Sequence, residues 1–279
     1  MGWHLQGKTA LVTGAAQGLG EGIARRLHAR GMNVLLTGLQ PERLHALELE
    51  LGPRSLAIEA DVCSLAQMQA AVAQACSRFG GLDVVVANAG ITAFAPLAEI
   101  DAELFRKVLD VNVLGVFNTL QASASEVMAR QGYFQIMASM ATAIHSPLQA
   151  HYCASKAAVW ALANSFRLEA RSQGAEVGTV HPTFAATAMM QQTHADAAGR
   201  EIWKGNTGLW TMVRPEAVID AAVKAIENRT RIVSVPKRLL PVLLSPGLFQ
   251  PLLERSFTNL RVQRMVDAFR SGRKKGVSA

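Results

Sequence analysis

Cysteine is scarce in this 279-residue sequence: Cys63, Cys76 and Cys153 are the only three. None belongs to a CxxC pair, and no histidine cluster offers metal-ligand spacing, so no metal site is expected. Three reduced thiols in a cytoplasmic protein are the simplest reading. No low-complexity tract or internal repeat is present, apart from a proline rhythm near the end. The first residues lack the apolar core of a secretory signal. They begin Met-Gly, but Gln6 stands where a myristoylation signal needs Ser or Thr.

Positive charge is also missing from most of the chain. The formal charge is +7, yet nine basic residues against two acidic ones from Pro236 onward account for all of it. The preceding residues are balanced, so nothing there suggests nucleic acid as a partner. Any anionic partner would be met by the tail.

What is present is an ordinary globular composition, half hydrophobic and 18% charged. Apolar runs alternate with helical patterns. Strands are expected at Ala10–Val12, Val34–Leu36, Ser55–Glu59, Val84–Ala87, Phe134–Met137, Val177–Val180 and Ile232–Val235. Helices are expected over Gly18–Ala29, from Pro41, from a Ser64 cap to Phe79, over Glu103–Arg130 as one long helix, over Ala150–Arg171, and from Pro215. The repeated unit implies an α/β fold: a doubly wound parallel sheet of Rossmann type. One dinucleotide-binding catalytic domain is expected over residues 1–235, with a basic, proline-punctuated appendage over 236–279. Residues 183–213, polar and mixed, read as a substrate loop.

The first strand runs into Thr13-Gly14-Ala15-Ala16-Gln17-Gly18-Leu19-Gly20. Glycines there let the backbone approach a pyrophosphate, and the following helix points its N-terminal amides at it. Further along stand Asp61-Val62 after the third strand and Asn88-Ala89-Gly90 after the fourth. Then come Asn112, Ser139 after the fifth strand, and Tyr152-Cys153-Ala154-Ser155-Lys156. In that order and spacing, this set resembles the short-chain dehydrogenases/reductases, over about Leu5 to Val235. The resemblance implies that Gly14, Gln17, Gly18, Leu19, Gly20, Gly38, Leu39, Asp61, Val62, Asn88, Ala89, Gly90, Pro182 and Thr187 contact a nicotinamide dinucleotide. Asp61-Val62 would hold the adenine and Thr187 the nicotinamide amide. It further implies that Asn112, Ser139, Tyr152 and Lys156 are catalytic, with Tyr152 and Lys156 also touching cofactor.

The chemistry stands without the family. Tyr152 and Lys156 sit at i and i+4, on one helix face. A nearby ammonium favours a phenolate and should lower the tyrosine pKa from about 10. Tyr152 could then exchange a proton with a carbonyl or alcohol oxygen. Ser139, at a strand end beside that helix, can orient the oxygen. In relatives Lys156 also holds the nicotinamide ribose, and Asn112 supports a water in the proton relay. His145, His151 and His181 lie nearby, but the proton chemistry is already supplied. Cys153 is read as packing on the helix.

Two departures stand out. Pro182-Thr183 replaces the usual Pro-Gly after the sixth strand. At the end of the second strand, Thr37-Gly38-Leu39-Gln40 has neither the acid of NAD users nor the arginine of NADP users. Without an acid to repel a 2′-phosphate, the weak expectation is NADP over NAD, with Arg43 the nearest cation to help.

The sequence thus reads as an NAD(P)-dependent oxidoreductase acting on a small-molecule carbonyl or alcohol. Phe184, Met189, Met190, Trp203 and Trp210 in the loop suggest a hydrophobic substrate. A homodimer or homotetramer is expected through the helices at Glu103–Arg130 and Ala150–Arg171. The alternatives are a non-catalytic dinucleotide sensor on the same fold, or another Rossmann-type enzyme such as a methyltransferase. In the tail, Pro236, Pro241, Pro246 and Pro251 punctuate an uncharged, leucine-rich stretch too short and too proline-rich to span a membrane. A cap over the cleft or a subunit contact is the favoured reading; peripheral attachment to an anionic membrane is the second.

Overall fold

The structure is a computed structural model that describes residues 2–186, 199–201 and 212–276. Seven strands form one parallel sheet: β1 (Thr9–Thr13), β2 (Asn33–Gly38), β3 (Ser55–Glu59), β4 (Val84–Ala87), β5 (Tyr133–Met137), β6 (Glu176–Pro182) and β7 (Ile232–Val235). Their order is β3-β2-β1-β4-β5-β6-β7. The chain therefore reverses its direction of travel across the sheet between β1 and β4, which opens a crevice at the strands' C-terminal ends.

Helices cover both faces. On one side α1 (Gly18–Ala29), α2 (Pro41–Leu51) and α7 (Pro215–Glu227) bury Ile23, Leu27, Leu44 and Val218 against Ala10, Val12 and Val34. On the other, α3 (Leu65–Phe79), α5 (Gly115–Ala129) and α6 (Ala150–Ser172) bury Met68, Leu120 and Val159 against Leu11, Leu35 and Phe134. Ala10 and Val12 face one layer and Leu11 the other, the period-two alternation of a strand buried on both sides. The expected cap holds: the Ser64 hydroxyl accepts from the Gln67 amide at 3.4 Å.

The expected long helix over Glu103–Arg130 is broken. α4 (Ala102–Leu109) gives way to a π-helical turn over Asp110–Leu114 before α5 begins. A π turn widens the backbone by one residue per turn and shifts the phase of every side chain after it. Asn112 lies inside that turn and is fully buried.

After β7 the chain forms a 3₁₀ turn and then α8 (Leu240–Leu244), α9 (Pro246–Glu254) and α10 (Asn259–Gly276). The prolines divide the stretch, with Pro246 opening α9, though Pro251 sits inside it. Leu239, Val242 and Leu243 pack on Met140, Ala143 and Ile144, just beyond β5. Met265 of α10, fully buried, packs with Phe94 and Leu148, and Arg270 pairs with Glu99 at 2.6 Å. Among the described residues no helix is long and apolar enough to cross a membrane.

Met265→Ala should loosen α10. Removing a fully buried thioether leaves a cavity worth about 2–5 kcal/mol. Limited proteolysis should then clip the chain between Glu254 and Gly276 much faster than in the unsubstituted protein. Equal clipping rates would show that α10 is not docked there.

Candidate active site

The crevice holds a cavity of about 500 Å³. Its floor is set where β1 and β4 end. The Thr13 hydroxyl accepts from the backbone N–H groups of Asn88 and Ala89, both at 3.0 Å. The Asn88 side-chain amide donates back to the Thr13 carbonyl at 2.9 Å. This reciprocal clasp fixes the glycine loop against the β4 crest.

Gly14 and Gly18 have φ of +64° and +63°, a region that disfavours any side chain. A Cβ on Gly20 would overlap the Gly14 carbonyl oxygen and lie 2.6 Å from Asn88 Nδ2. A Cβ on Gly18 would meet nothing within 4 Å, because that backbone faces the cavity. No side chain caps the start of α1. Bare backbone and uncapped helix amides turned to one cavity fit a pyrophosphate.

Beyond the loop, Gly38 and Leu39 line the cavity at the end of β2, with Asp61 and Val62 beyond β3. The Asp61 carboxylate accepts from the Cys63 amide at 2.9 Å, and Asn118 holds the Val62 carbonyl at 2.8 Å. Arg43 reaches across from α2 and donates to the Gln17 side-chain oxygen at 2.8 Å. This exposed pair borders the Gly38 end of the cavity.

At the other end stand Ser139, Tyr152 and Lys156, all lining the cavity. Ser139 caps a 3₁₀ turn over Met140–Thr142, its hydroxyl accepting from the Ala141 amide at 3.1 Å. Tyr152 and Lys156 lie one turn apart on α6, with the lysine Nζ 5.8 Å from the tyrosine ring centre. The ammonium donates to the Met137 carbonyl at 2.9 Å, and burial pulls its pKa down to about 8. Burial also pushes the Tyr152 phenol up to about 12, while a hydrogen bond with the Ser139 hydroxyl draws it the other way. The expected lowering by Lys156 is therefore corrected. Desolvation dominates, and the opposing group is Ser139.

Asn112 lies beneath the cavity and does not line it. Its Oδ1 accepts from the Ile91 amide at 2.8 Å, and its Nδ2 donates to the Ile91 carbonyl at 2.9 Å and to Ser155 Oγ at 3.0 Å. Gly90 stands directly over it: a Cβ there would lie 3.2 Å from Asn112 Oδ1 and 3.7 Å from Lys156 Nζ. The structure thus gathers Gly14, Gln17, Gly18, Leu19, Gly38, Leu39, Asp61, Val62, Asn88, Ala89, Gly90 and Pro182 around one cavity with the catalytic candidates. Gly20 supports the loop from behind. Thr187 lies outside the described residues, as do Met189, Met190, Trp203 and Trp210. Phe184 does line the cavity. The two ends of its segment are joined, with Val213 N–H donating to the Phe184 carbonyl at 2.9 Å.

Sequence reading missed the Thr13 clasp and the task of His181. The Ser139 carbonyl can only accept, so His181 Nδ1, 3.1 Å away, carries the proton. Nε2 then accepts from the Thr179 hydroxyl at 2.9 Å. His181 is a neutral prop under Ser139, with its pKa pulled down to about 4, first by burial. His151, also buried, is held through Nε2 by the Ala93 carbonyl at 3.0 Å.

A doubly wound sheet with a phosphate-fitting glycine loop and a Ser-Tyr-Lys set at the far end of one cavity defines a dinucleotide-dependent oxidoreductase. The profile of the short chain dehydrogenase family matches residues 8–198. The chain belongs to the short-chain dehydrogenase/reductase family. It is 36% identical over 230 residues to oxidoreductase UcpA of Salmonella typhimurium, covering 81% of this chain and 82% of that one. Among solved structures, a short-chain dehydrogenase/reductase from Burkholderia phymatum in complex with NAD superposes with a TM-score of 0.79. It is 24% identical, covers 90% of this chain and 96% of its own, and speaks to the fold alone. The 3-ketoacyl-(acyl-carrier-protein) reductase of Brucella melitensis, complexed with NADH, gives a TM-score of 0.72. Its identity is 25%, and the match covers 83% of this chain and 97% of that one.

The neutral His181 sets a pH dependence. Its folded pKa lies below the ordinary 6.5, so its contribution to stability is complete above 6.5 and lost as pH falls toward 4. That loss amounts to about 3 kcal/mol. Urea unfolding at pH 7 and pH 4 should show His181→Gln losing that much less than the unsubstituted protein across the interval. Equal losses would mean that His181 is not held neutral.

Proposed function

We propose that this protein interconverts a carbonyl and a secondary alcohol, with Tyr152 as general acid and base. The observation that carries the reading is that Ser139, Tyr152 and Lys156 line one end of the cavity together, with Lys156 Nζ 5.8 Å from the phenol ring centre. A nicotinamide dinucleotide, when bound, supplies or accepts the hydride. Gly14, Gly18 and Leu19 would hold its phosphates, Asp61 and Val62 its adenine, and Lys156 its nicotinamide ribose.

The remaining steps belong to the chain. Ser139 donates a hydrogen bond to the substrate oxygen and holds it beside the phenol. Tyr152, high in pKa and so protonated at neutral pH, gives its proton to that oxygen in reduction and takes one back in oxidation. Lys156, more acidic than an ordinary lysine, returns a proton to the phenolate that donation leaves. Asn112, bonded to both Ile91 backbone groups, keeps the relay in register. Ile91, Met140, Ile144 and Phe184 line the cavity, which supports a hydrophobic substrate. The sensor alternative leaves this polar set without a task.

Tyr152→Phe should lower turnover at least about a hundred-fold and leave dinucleotide affinity nearly unchanged. Lys156→Ala should harm both. Steady-state rates on a carbonyl panel, with dinucleotide titrations alongside, check this. Substantial turnover in Tyr152→Phe would remove the assignment.

A modest preference for NADP(H) completes the reading. Gly38 brings no acid to the ribose end, and Arg43 is held at that rim by Gln17. A Cβ on Gly38 would meet only ordinary contacts, the nearest at 3.8 Å, so an acid can be placed there without strain. Gly38→Asp should then shift the ratio of the two dissociation constants toward NAD(H) by about ten-fold. NADH binding more tightly than NADPH before substitution would contradict the preference.

The protein is also proposed to work as a homodimer or homotetramer. α5 exposes Phe117, while α6 exposes Leu168 and the small residues Ala154, Ala158 and Ala161. These are the helices through which oligomerisation was expected. Sedimentation at micromolar concentration should show a dimer or larger, and Phe117→Glu should shift it toward monomer. A monomeric unsubstituted protein would overturn the proposal.

A further inference from the structure

A second cavity, about 370 Å³, lies between α6, the start of β7 and the end of α8. It shares no lining residue with the catalytic cavity. From α6 come Trp160, Asn164, Arg167 and Arg171, spaced four, three and four apart and so on one stripe of the helix. Arg231 and Ile232 at β7 and Leu244 on α8 close it. Three of the lining residues are arginines, and none is acidic.

Arg167 is the built part of this groove. Its side chain is buried, only 5% exposed. Nε donates to the Val177 carbonyl at 2.9 Å, and Nη1 donates to Asn164 Oδ1 at 2.7 Å. Nη2 is buried and has no hydrogen-bond partner, and the indole N–H of Trp160 is in the same position. A buried guanidinium with an unsatisfied donor is costly, and Arg171 and Arg231 beside it add charge of the same sign. Burial first, then those two arginines, hold the Arg167 pKa below its ordinary value; Tyr133 and Glu176 act against them. Neither Arg171 nor Arg231 has an ion-pair partner among the described residues. Glu176, the acid nearest in effect, does not line the groove.

The groove also has an apolar side. Trp160, Ile232 and Leu244 form its wall. Leu244, at the end of α8, is 57% exposed, and Leu248 and Leu252 of α9 are 68% and 54% exposed. An apolar wall beside a cluster of uncompensated arginines fits a ligand charged at one end and apolar along its length.

We propose that this groove binds an anion joined to an apolar chain, with its carboxylate or phosphate head at Arg167, Arg171 and Arg231 and its chain along Trp160, Ile232 and Leu244. The head would supply the missing counter-charge as charge-assisted hydrogen bonds, and guanidinium groups suit both oxyanions. The chain would cover the exposed Leu244. This site is independent of the catalytic reading, since it uses no residue of that cavity.

Isothermal titration calorimetry on the full chain tests it, with decanoate, decyl phosphate, decanol and inorganic phosphate as probes, each with and without saturating NADPH to shield the catalytic cavity. One saturable site for decanoate or decyl phosphate is expected, unaffected by NADPH. The tighter of the two identifies the head as carboxylate or phosphate. Decanol and inorganic phosphate should each bind at least about ten-fold more weakly. The double variant Arg171→Ala/Arg231→Ala, at two exposed positions, should weaken binding at least about ten-fold while keeping the thermal midpoint unchanged. Equal affinity in the double variant, equal affinity for inorganic phosphate, or no saturation by either amphiphile would overturn the proposal. So would binding seen only with anionic vesicles, which would assign the surface to a membrane instead.

Discussion

The Asn112 carboxamide joins three parts of the chain at the base of the site. It satisfies both backbone groups of Ile91 beyond β4 and donates to Ser155 on α6, while sitting itself in the π turn between α4 and α5. A buried amide with all of these partners tolerates little displacement, because any lost bond leaves a polar group stranded. Ser155 lies one residue before Lys156, so the same bonds fix the height of the lysine. Gly90 sits close above, where an added Cβ would crowd Asn112 Oδ1 at 3.2 Å. The position of Lys156 at that end of the cavity rests on this one side chain and the widened turn that carries it.

Electrostatics then separate the roles of neighbouring groups. Lys156 and Tyr152 are desolvated together, so the lysine becomes more acidic and the phenol less so. Their acidities move apart, to about 8 and about 12, so a phenolate left by proton donation is readily reprotonated by the lysine ammonium. His181 is kept neutral by burial and by the Lys156 charge, against the pull of its hydrogen bond to the Ser139 carbonyl. The tail contributes at a distance. Leu239, Val242 and Leu243 back the Met140–Ile144 segment that forms one cavity wall. Met265 does the same behind Leu148. Among the described residues the tail buttresses the site from outside and does not line it.

Much of this was legible in the residues. Strand positions followed from apolar runs, since central strands buried on both faces have little freedom in composition; Val84–Ala87 and Ile232–Val235 came out as read. The glycine loop and the Tyr152–Lys156 spacing were legible because backbone conformation and helix periodicity leave direct marks in sequence. The π turn was not. Its one-residue shift leaves no mark in the run Val111-Asn112-Val113-Leu114, whose apolar residues flank Asn112 on both sides. The Thr13 clasp and the His181 prop depend on contacts between residues 42 to 76 positions apart, and no local pattern encodes them. Spacing reports the nearness of Lys156 to Tyr152 but not the desolvation that pushes the phenol's pKa up.

The central claim is that the Ser139–Tyr152–Lys156 end of the cavity performs hydride chemistry and does more than bind a dinucleotide. Isotope transfer tests it most directly: NADPH and NADH deuterated at the reactive carbon, incubated with a panel of apolar ketones, and the alcohols read by mass spectrometry. The account predicts deuterium on the carbinol carbon of at least one product, formed catalytically. Tight dinucleotide binding with no deuterium transferred to any ketone, and no oxidation of the matching alcohols in reverse, would contradict it.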